Sequence, residues 1–172
     1  MTNLLKLLSI VSLFLGVQAA NAGILVEPYL GTATTAVKIT VAGVEGASET
    51  GSASISGLKL GWGMLGLHAG LDYQMATSDG ATAKYTGILA SYKFPILVKG
   101  YVVKYIKATA DDGSDMSDGL NYTKFGIGFT GLPFVHLNLE YSSNSYKMSS
   151  ILGEVKGTST TIGLVASMPF DF

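Results

Sequence analysis

The sequence predicts an all-β fold: an eight-stranded antiparallel up-and-down transmembrane β-barrel preceded by a cleavable signal peptide. Three observations lead there. Apolar and polar residues alternate along most of the chain, no apolar run after Ala22 is long enough for a helical span, and tight turns alternate with long polar connections. Alternation with period two marks strands with one apolar face. Short turns on one rim and longer loops on the other is how a barrel that crosses a membrane is strung together.

The elements follow in order. Residues 1–22 carry Lys6, an apolar run from Leu7 to Val17 and the tripeptide Ala20-Asn21-Ala22, the three regions of an export signal. That run falls short of the roughly 20 residues of a membrane-spanning helix. Its removal leaves residues 23–172 as one barrel domain. The first strand covers 24–34, with Val26, Pro28 and Leu30 on one face. Residues 58–75 form a hairpin in which Leu58, Leu60, Trp62, Leu65, Leu67, Ala69, Leu71 and Tyr73 share the apolar face. A two-residue turn at Gly63-Met64 would pair Trp62 with Leu65, Leu60 with Leu67 and Lys59 with His68.

A second hairpin joins 84–94 to 96–109 around Pro95, with Thr86, Ile88, Ala90, Tyr92 and Phe94 outward. Its return strand is read with Val98, Gly100, Val102 and Lys104 inward and Leu97, Tyr101, Val103 and Tyr105 outward. That phase leaves Lys99 tolerable only near a membrane boundary, and a bulge is allowed for. In 121–142, Phe125, Ile127 and Phe129 oppose Leu139, Leu137 and Val135 across Gly131-Leu132-Pro133, and Lys124 is expected to form an ion pair with Glu140. The last strand, 158–172, places Ile162, Leu164, Ala166, Met168, Phe170 and Phe172 on one face. Residues 33–54, 108–120 and 147–157 are expected as long loops, and 77–80 as a short one.

Closure follows from solvent. Lipid offers nothing to an unpaired sheet edge, so first and last strands must meet. Eight strands enclose an interior that side chains just fill. Gly57, Gly61, Gly66, Gly70, Gly126, Gly128 and Gly163 are then expected to face inward and leave room for larger neighbours. Composition narrows the function classes. The 11 basic residues are all lysine against 12 acidic ones, which leaves no footprint for nucleic acid. Cysteine is absent, so disulfides, cysteine metal sites and a lipid-modified cysteine are excluded.

The C-terminal run Gly163-Leu164-Val165-Ala166-Ser167-Met168-Pro169-Phe170-Asp171-Phe172 resembles the C-terminal signal of bacterial outer-membrane proteins, carried by Leu164, Ala166, Met168, Phe170 and Phe172. With the export signal, the start Val26-Glu27-Pro28-Tyr29-Leu30-Gly31 and the strand plan, the mature chain resembles the small eight-stranded outer-membrane β-barrel family (OmpA/OmpX type). The resemblance implies recognition by the barrel-assembly machinery, contact with outer-membrane lipids and lipopolysaccharide, and periplasmic termini. It implies no particular activity.

The polar face is expected to line the lumen: Glu27, Lys59, His68, Asp72, Lys124, His136, Asn138 and Glu140, joined by Gln74 and Lys93. Charges in a filled lumen pair with one another because an uncompensated one is costly, and this outweighs an ion path or a catalytic cluster based on His136. A lipid A deacylase would show His and Ser two apart on a late strand, whereas His136 is followed two on by Asn138. Ser142 and Ser143 lack an evident partner. Asp111, Asp112, Asp115 and Asp118 do not match a calcium-loop pattern and are expected as a solvated acidic surface. No cofactor or metal is expected. Aromatic residues near strand ends suit interfacial girdles, except Tyr29, which points inward. The expected role is structural, or surface recognition through extracellular loops, without catalysis. A narrow channel for small solutes and an acyl enzyme are the alternatives.

Overall fold

A computed structural model describes residues 23–41, 44–150 and 153–172. The expected signal segment, 1–22, lies outside the described residues. Eight long strands follow one another: β1 Gly23–Val41, β2 Val44–Met64, β3 Leu67–Ser78, β4 Ala81–Phe94, β5 Val98–Ala110, β6 Asn121–Phe129, β7 His136–Ser150 and β8 Gly153–Ser167. A two-residue β9, Phe170–Asp171, resumes pairing with β1 beyond Pro169. Proline has no N–H for the ladder, so the line breaks there; Met168 still donates to the Pro28 carbonyl at 3.0 Å. Consecutive strands pair antiparallel, and β1 pairs with both β2 and β8, which closes the ring.

The two faces are inverted relative to a water-soluble protein. Leu60, Trp62, Leu67, Leu71, Ile88, Phe125, Ile127, Leu137, Leu139, Ile162 and Leu164 lie exposed on the outside, while Glu27, Lys59, Asp72, Lys99, Lys124 and Glu140 are buried inside. Water would reverse that arrangement. A continuous apolar exterior around a charged, filled interior is stable only where hydrocarbon is the solvent, so the barrel spans a membrane.

The registers depart from expectation by even steps, four residues in β2–β3 and two in β6–β7. In β2–β3, Leu60 faces Leu71, Trp62 faces Ala69 and Lys59 faces Asp72, not His68. The turn falls at Leu65-Gly66, both at positive φ, so Gly66 serves the turn and not the lumen. In β6–β7, Phe125 faces Tyr141, Ile127 faces Leu139 and Phe129 faces Leu137. An even slip leaves every side chain on its own face, so hydrophobic pattern cannot detect it and turn geometry decides.

The phase of β5 is the reverse of the expected one. Lys99, Tyr101, Val103 and Tyr105 are buried inside, while Val102 and Lys104 are exposed outside. The ladder slips between Thr86 and Gly87, whose partners are Lys107 and Tyr105, so Ile106 is the extra residue of a bulge. Lys104 reaches Thr123 at 3.2 Å near the loop-side limit of the apolar band, where an outward lysine costs little. Lys93 lies on the inward face as expected, exposed at the short-turn mouth of the lumen. Two expected long loops are largely strand. Backbone pairing carries β1 and β2 through most of 33–54, and β7 and β8 through most of 147–157. Segments rich in Gly, Ser, Thr and Glu read as loop for their polarity, yet their β-branched Thr and Val suit an extended ladder. Of the three long loops expected, 108–120 alone is a loop among the described residues, over 111–120.

Candidate functional site in the barrel lumen

Inward alternate positions of seven strands converge on the axis of the barrel. β1 supplies Glu27 and Tyr29, β2 Lys59, β3 Asp72 and Gln74, β5 Lys99, Tyr101 and Tyr105, β6 Tyr122 and Lys124, β7 His136, Asn138, Glu140 and Ser142, and β8 Ser167. Space for the rings comes from glycine on the neighbouring strand. A Cβ on Gly57 would strike the Tyr29 ring, and one on Gly126 would strike the Tyr101 ring.

Asp72 is the centre of the network. One oxygen accepts from the Tyr29 hydroxyl at 2.8 Å; the other lies 2.8 Å from the Tyr105 hydroxyl and 2.7 Å from Lys124 Nζ. Lys124 also donates to Gln74 Oε1 at 2.8 Å and stands 3.6 Å from Glu140. Glu140 accepts from the Tyr101 hydroxyl and lies 3.7 Å from Lys59. Lys59 is held partly by aromatic faces, 3.9 Å from the Tyr29 ring centre and 4.6 Å from that of Tyr101. Glu27 and Lys99 form a third pair. Three lysines meet three carboxylates, so the lumen is charge-balanced.

The expected Lys124–Glu140 pair is therefore present, although the nearer carboxylate to Lys124 is Asp72, also expected in the lumen but with no partner legible in the sequence. Asn138 donates to Ser167 Oγ at 2.9 Å. His136 is buried with Nδ1 unpartnered and, with His68, lines a small cavity at the short-turn end beside Glu27 and Lys99. Neither histidine joins the central network, and among the described residues no hydroxyl is hydrogen-bonded to His136. Sequence reading missed Lys99, Tyr101, Tyr105, Tyr122, Ser142 and Ser167. The signal lay in Lys99: had it been fixed inward, the period of two would have carried Tyr101, Val103 and Tyr105 with it.

A second cavity, of about 110 Å³, opens toward the loop side and is lined by Ala33, Thr35, Ile55, Gln74, Tyr85 and Tyr122 among others. The charged network lies between it and the short-turn cavity. Among the described residues, no three of His, Cys, Asp or Glu are grouped to hold a metal ion.

No family profile matches the sequence, and no curated protein matches it either. Solved structures with a similar fold are membrane barrels. Neisserial surface protein A shares 16% identity, with a TM-score of 0.43 over 80% of this chain and 95% of that one. Ail, the attachment invasion locus protein of Yersinia pestis, shares 15% at 0.44, over 83% and 99%. The outer membrane protease OmpT of Escherichia coli shares 13% at 0.42, over 87% and 97%. Likeness at this level assigns no activity.

Proposed function

We propose that the protein is a non-enzymatic barrel of the Gram-negative outer membrane, with a sealed lumen, that contributes to envelope integrity or to recognition at the cell surface. The observation that carries this reading is the balanced ionic network between the two end cavities. Its paired side chains fill the axis between those cavities, and among the described residues its hydroxyls are bonded to carboxylates and amides and not to a histidine. What remains for function are the ends: the β1–β2 and β7–β8 hairpins, which continue past the apolar band with Thr32, Thr34, Ser52, Ser54, Thr158 and Thr160 outward, and the acidic loop 111–120. Binding surfaces on scaffolds of this kind are usually found in such segments.

In this reading the short-turn rim and both termini face the periplasm, lipopolysaccharide surrounds the upper band, and the assembly machinery takes up the C-terminal strand at Leu164, Ala166, Met168, Phe170 and Phe172. Three measurements test it. Fractionated membranes should hold the protein in the outer membrane, and unheated samples should migrate differently from heated ones on detergent gels. Pure protein in planar bilayers should show no steady conductance steps. Recovery as a soluble periplasmic species, or stable conductance, would refute the proposal.

A further inference from the structure

The two rims of the barrel use the same turn geometry with opposite chemistry. At the loop side, β3 and β4 are joined by Asp79-Gly80, with φ of 49° and 81°. At the other rim, β2 and β3 are joined by Leu65-Gly66, with φ of 55° and 79°. Aspartate is at home in the left-handed region; leucine is not, because a bulky side chain there crowds its own backbone. The other two turns of that rim repeat the choice, with Leu97 at φ 60° and Phe134 at φ 64°. Three separate turns thus each hold a large apolar residue in a conformation that glycine or asparagine would adopt with less strain.

These side chains are not tucked away. Phe134 is 83% exposed, Ile96 75% and Phe172 78%, with Leu65, Leu97 and Leu132 also exposed. Water at this rim would favour polar turn residues on both counts, backbone and solvation.

The apolar band also falls short without the rim. On β7 its outward members run only from Leu137 to Tyr141, four residue steps before Ser143. That is about 13 Å along the strand, and about 10 Å across the membrane at the usual tilt, against an expected band of about 25 Å. On β8 and β9, by contrast, the band runs from Ile162 to Phe172. It passes Ser167, which pairs with His136 where the neighbouring turn ends. If Phe170 and Phe172 are in hydrocarbon, so is the turn that carries Phe134.

We propose that the short-turn rim is immersed in the membrane, with Leu65, Ile96, Leu97, Leu132 and Phe134 seated among acyl chains at the headgroup boundary, so that the barrel ends inside the leaflet and does not project beyond it. The occupant of this exposed face is lipid, because the face is continuous with the lipid-facing band. The proposal rests on the barrel spanning a membrane, and its test separates the two claims.

The chain has no cysteine, so single-cysteine variants can each carry one spin label. Labels at Leu65→Cys, Ile96→Cys and Phe134→Cys would be compared with a band label at Leu139→Cys and a loop label at Asp79→Cys, in dilauroyl phosphatidylcholine vesicles. The rim labels should resemble Leu139→Cys, with oxygen colliding more than a water-soluble nickel chelate. Rim labels that behave like Asp79→Cys beside a lipid-buried Leu139→Cys would overturn rim immersion alone and leave a protein partner as the occupant. A water-exposed Leu139→Cys would overturn the spanning reading as well. A second measurement has a sign. The combined Leu65→Asn, Leu97→Asn and Phe134→Asn variant relieves backbone crowding and should raise the urea midpoint if the rim is in water. Immersion requires that the midpoint in vesicles fall, and a rise or no change would refute it.

Discussion

Asp72→Ala is the sharpest test of the lumen as a structural plug. The substitution removes a carboxylate that is fully buried, 2.7 Å from Lys124 and 2.8 Å from each of two tyrosine hydroxyls. Tyr105 keeps Gln74 Oε1 at 2.8 Å and Tyr29 has the Tyr73 carbonyl at 3.4 Å, so the hydroxyls are not left bare. The charge is the larger loss. Three lysines would face two carboxylates, and breaking one side of a buried pair costs about 3–5 kcal/mol. Lys124→Met in the same background keeps most of the stem volume and restores balance, so the double variant should cost less than the sum of its parts by about 0.5–3 kcal/mol. The assay is equilibrium urea unfolding in phospholipid vesicles, read by the single tryptophan, Trp62, which lies 61% exposed on the outer face. An Asp72→Ala barrel within about 0.5 kcal/mol of the parent, or strict additivity with Lys124→Met, would refute the reasoning, since surface-like behaviour is what that margin describes.

Gly126→Ala should lower stability by about 1–3 kcal/mol, the usual range for overpacking, because the new methyl meets the Tyr101 ring and pulls its hydroxyl from Glu140. Gly51→Ala, with nothing within 4 Å of the added carbon, is the control and should leave the unfolding midpoint unchanged. In the 111–120 loop, hydrogen bonds from Ser114 to Asp112 and from Ser117 to Asp115 hold both carboxyls below the ordinary aspartate value. The backbone N–H bonds among them measure 2.9 and 2.8 Å. A lowered folded value means the turns are fully held above the unfolded aspartate range and lost as pH falls through the lowered one. NMR titration of the Ser114 and Ser117 amides should therefore show midpoints below those of a loop peptide, and equal midpoints would contradict it. Deleting Phe172 removes paired backbone bonds to Ile24 of 2.9 and 3.0 Å; the heat-modifiable fraction in cells should fall further than refolding yield in vesicles, and an equal loss in both would argue against a role in assembly.

The faces of the barrel were legible in the sequence, and the registers were not. Clean alternation in β2, β3, β6 and β8 fixed which residues look at lipid, because one misplaced charge in hydrocarbon costs about 2–4 kcal/mol at mid-depth. Nothing comparable separates two registers that differ by an even number of residues, and Lys59 accordingly found Asp72, four residues beyond the expected His68. The tight turn moved to Leu65-Gly66 for a reason that composition hides, since leucine is an unusual occupant of positive φ. In β5 both phases present valine outward, and each exposes one lysine, Lys104 in one and Lys99 in the other. The conflict is resolved only by Tyr101 and Tyr105 reaching Glu140 and Asp72 across the lumen, contacts with strands distant in sequence. The eight site residues expected on the polar face all lie on the inward side, but only Glu27, Lys59, Asp72, Lys124 and Glu140 form the charged network. His68 and His136 line its short-turn end, and Asn138 binds Ser167.

Three of the ionic contacts, unlike Lys124 with Glu140, join strands that share no backbone ladder: Glu27 of β1 with Lys99 of β5, Lys59 of β2 with Glu140 of β7, and Asp72 of β3 with Lys124 of β6. They act as struts across the barrel, while the ladder around it fixes the circumference. A path for solute cannot open by widening the ring, and must come from side chains leaving the axis. The rings of Tyr29 and Tyr101 hold Lys59 between them, and Gly57 and Gly126 stand behind those rings with no side chain to refill the space. Tyr29→Ala combined with Tyr101→Ala should therefore hollow the centre of the lumen and give steady conductance in planar bilayers, with the parent silent under the same conditions. Conductance by the parent would place the barrier elsewhere; a silent variant that remains heat-modifiable would mean that Lys59, Lys99 and Lys124 close the axis without the tyrosines.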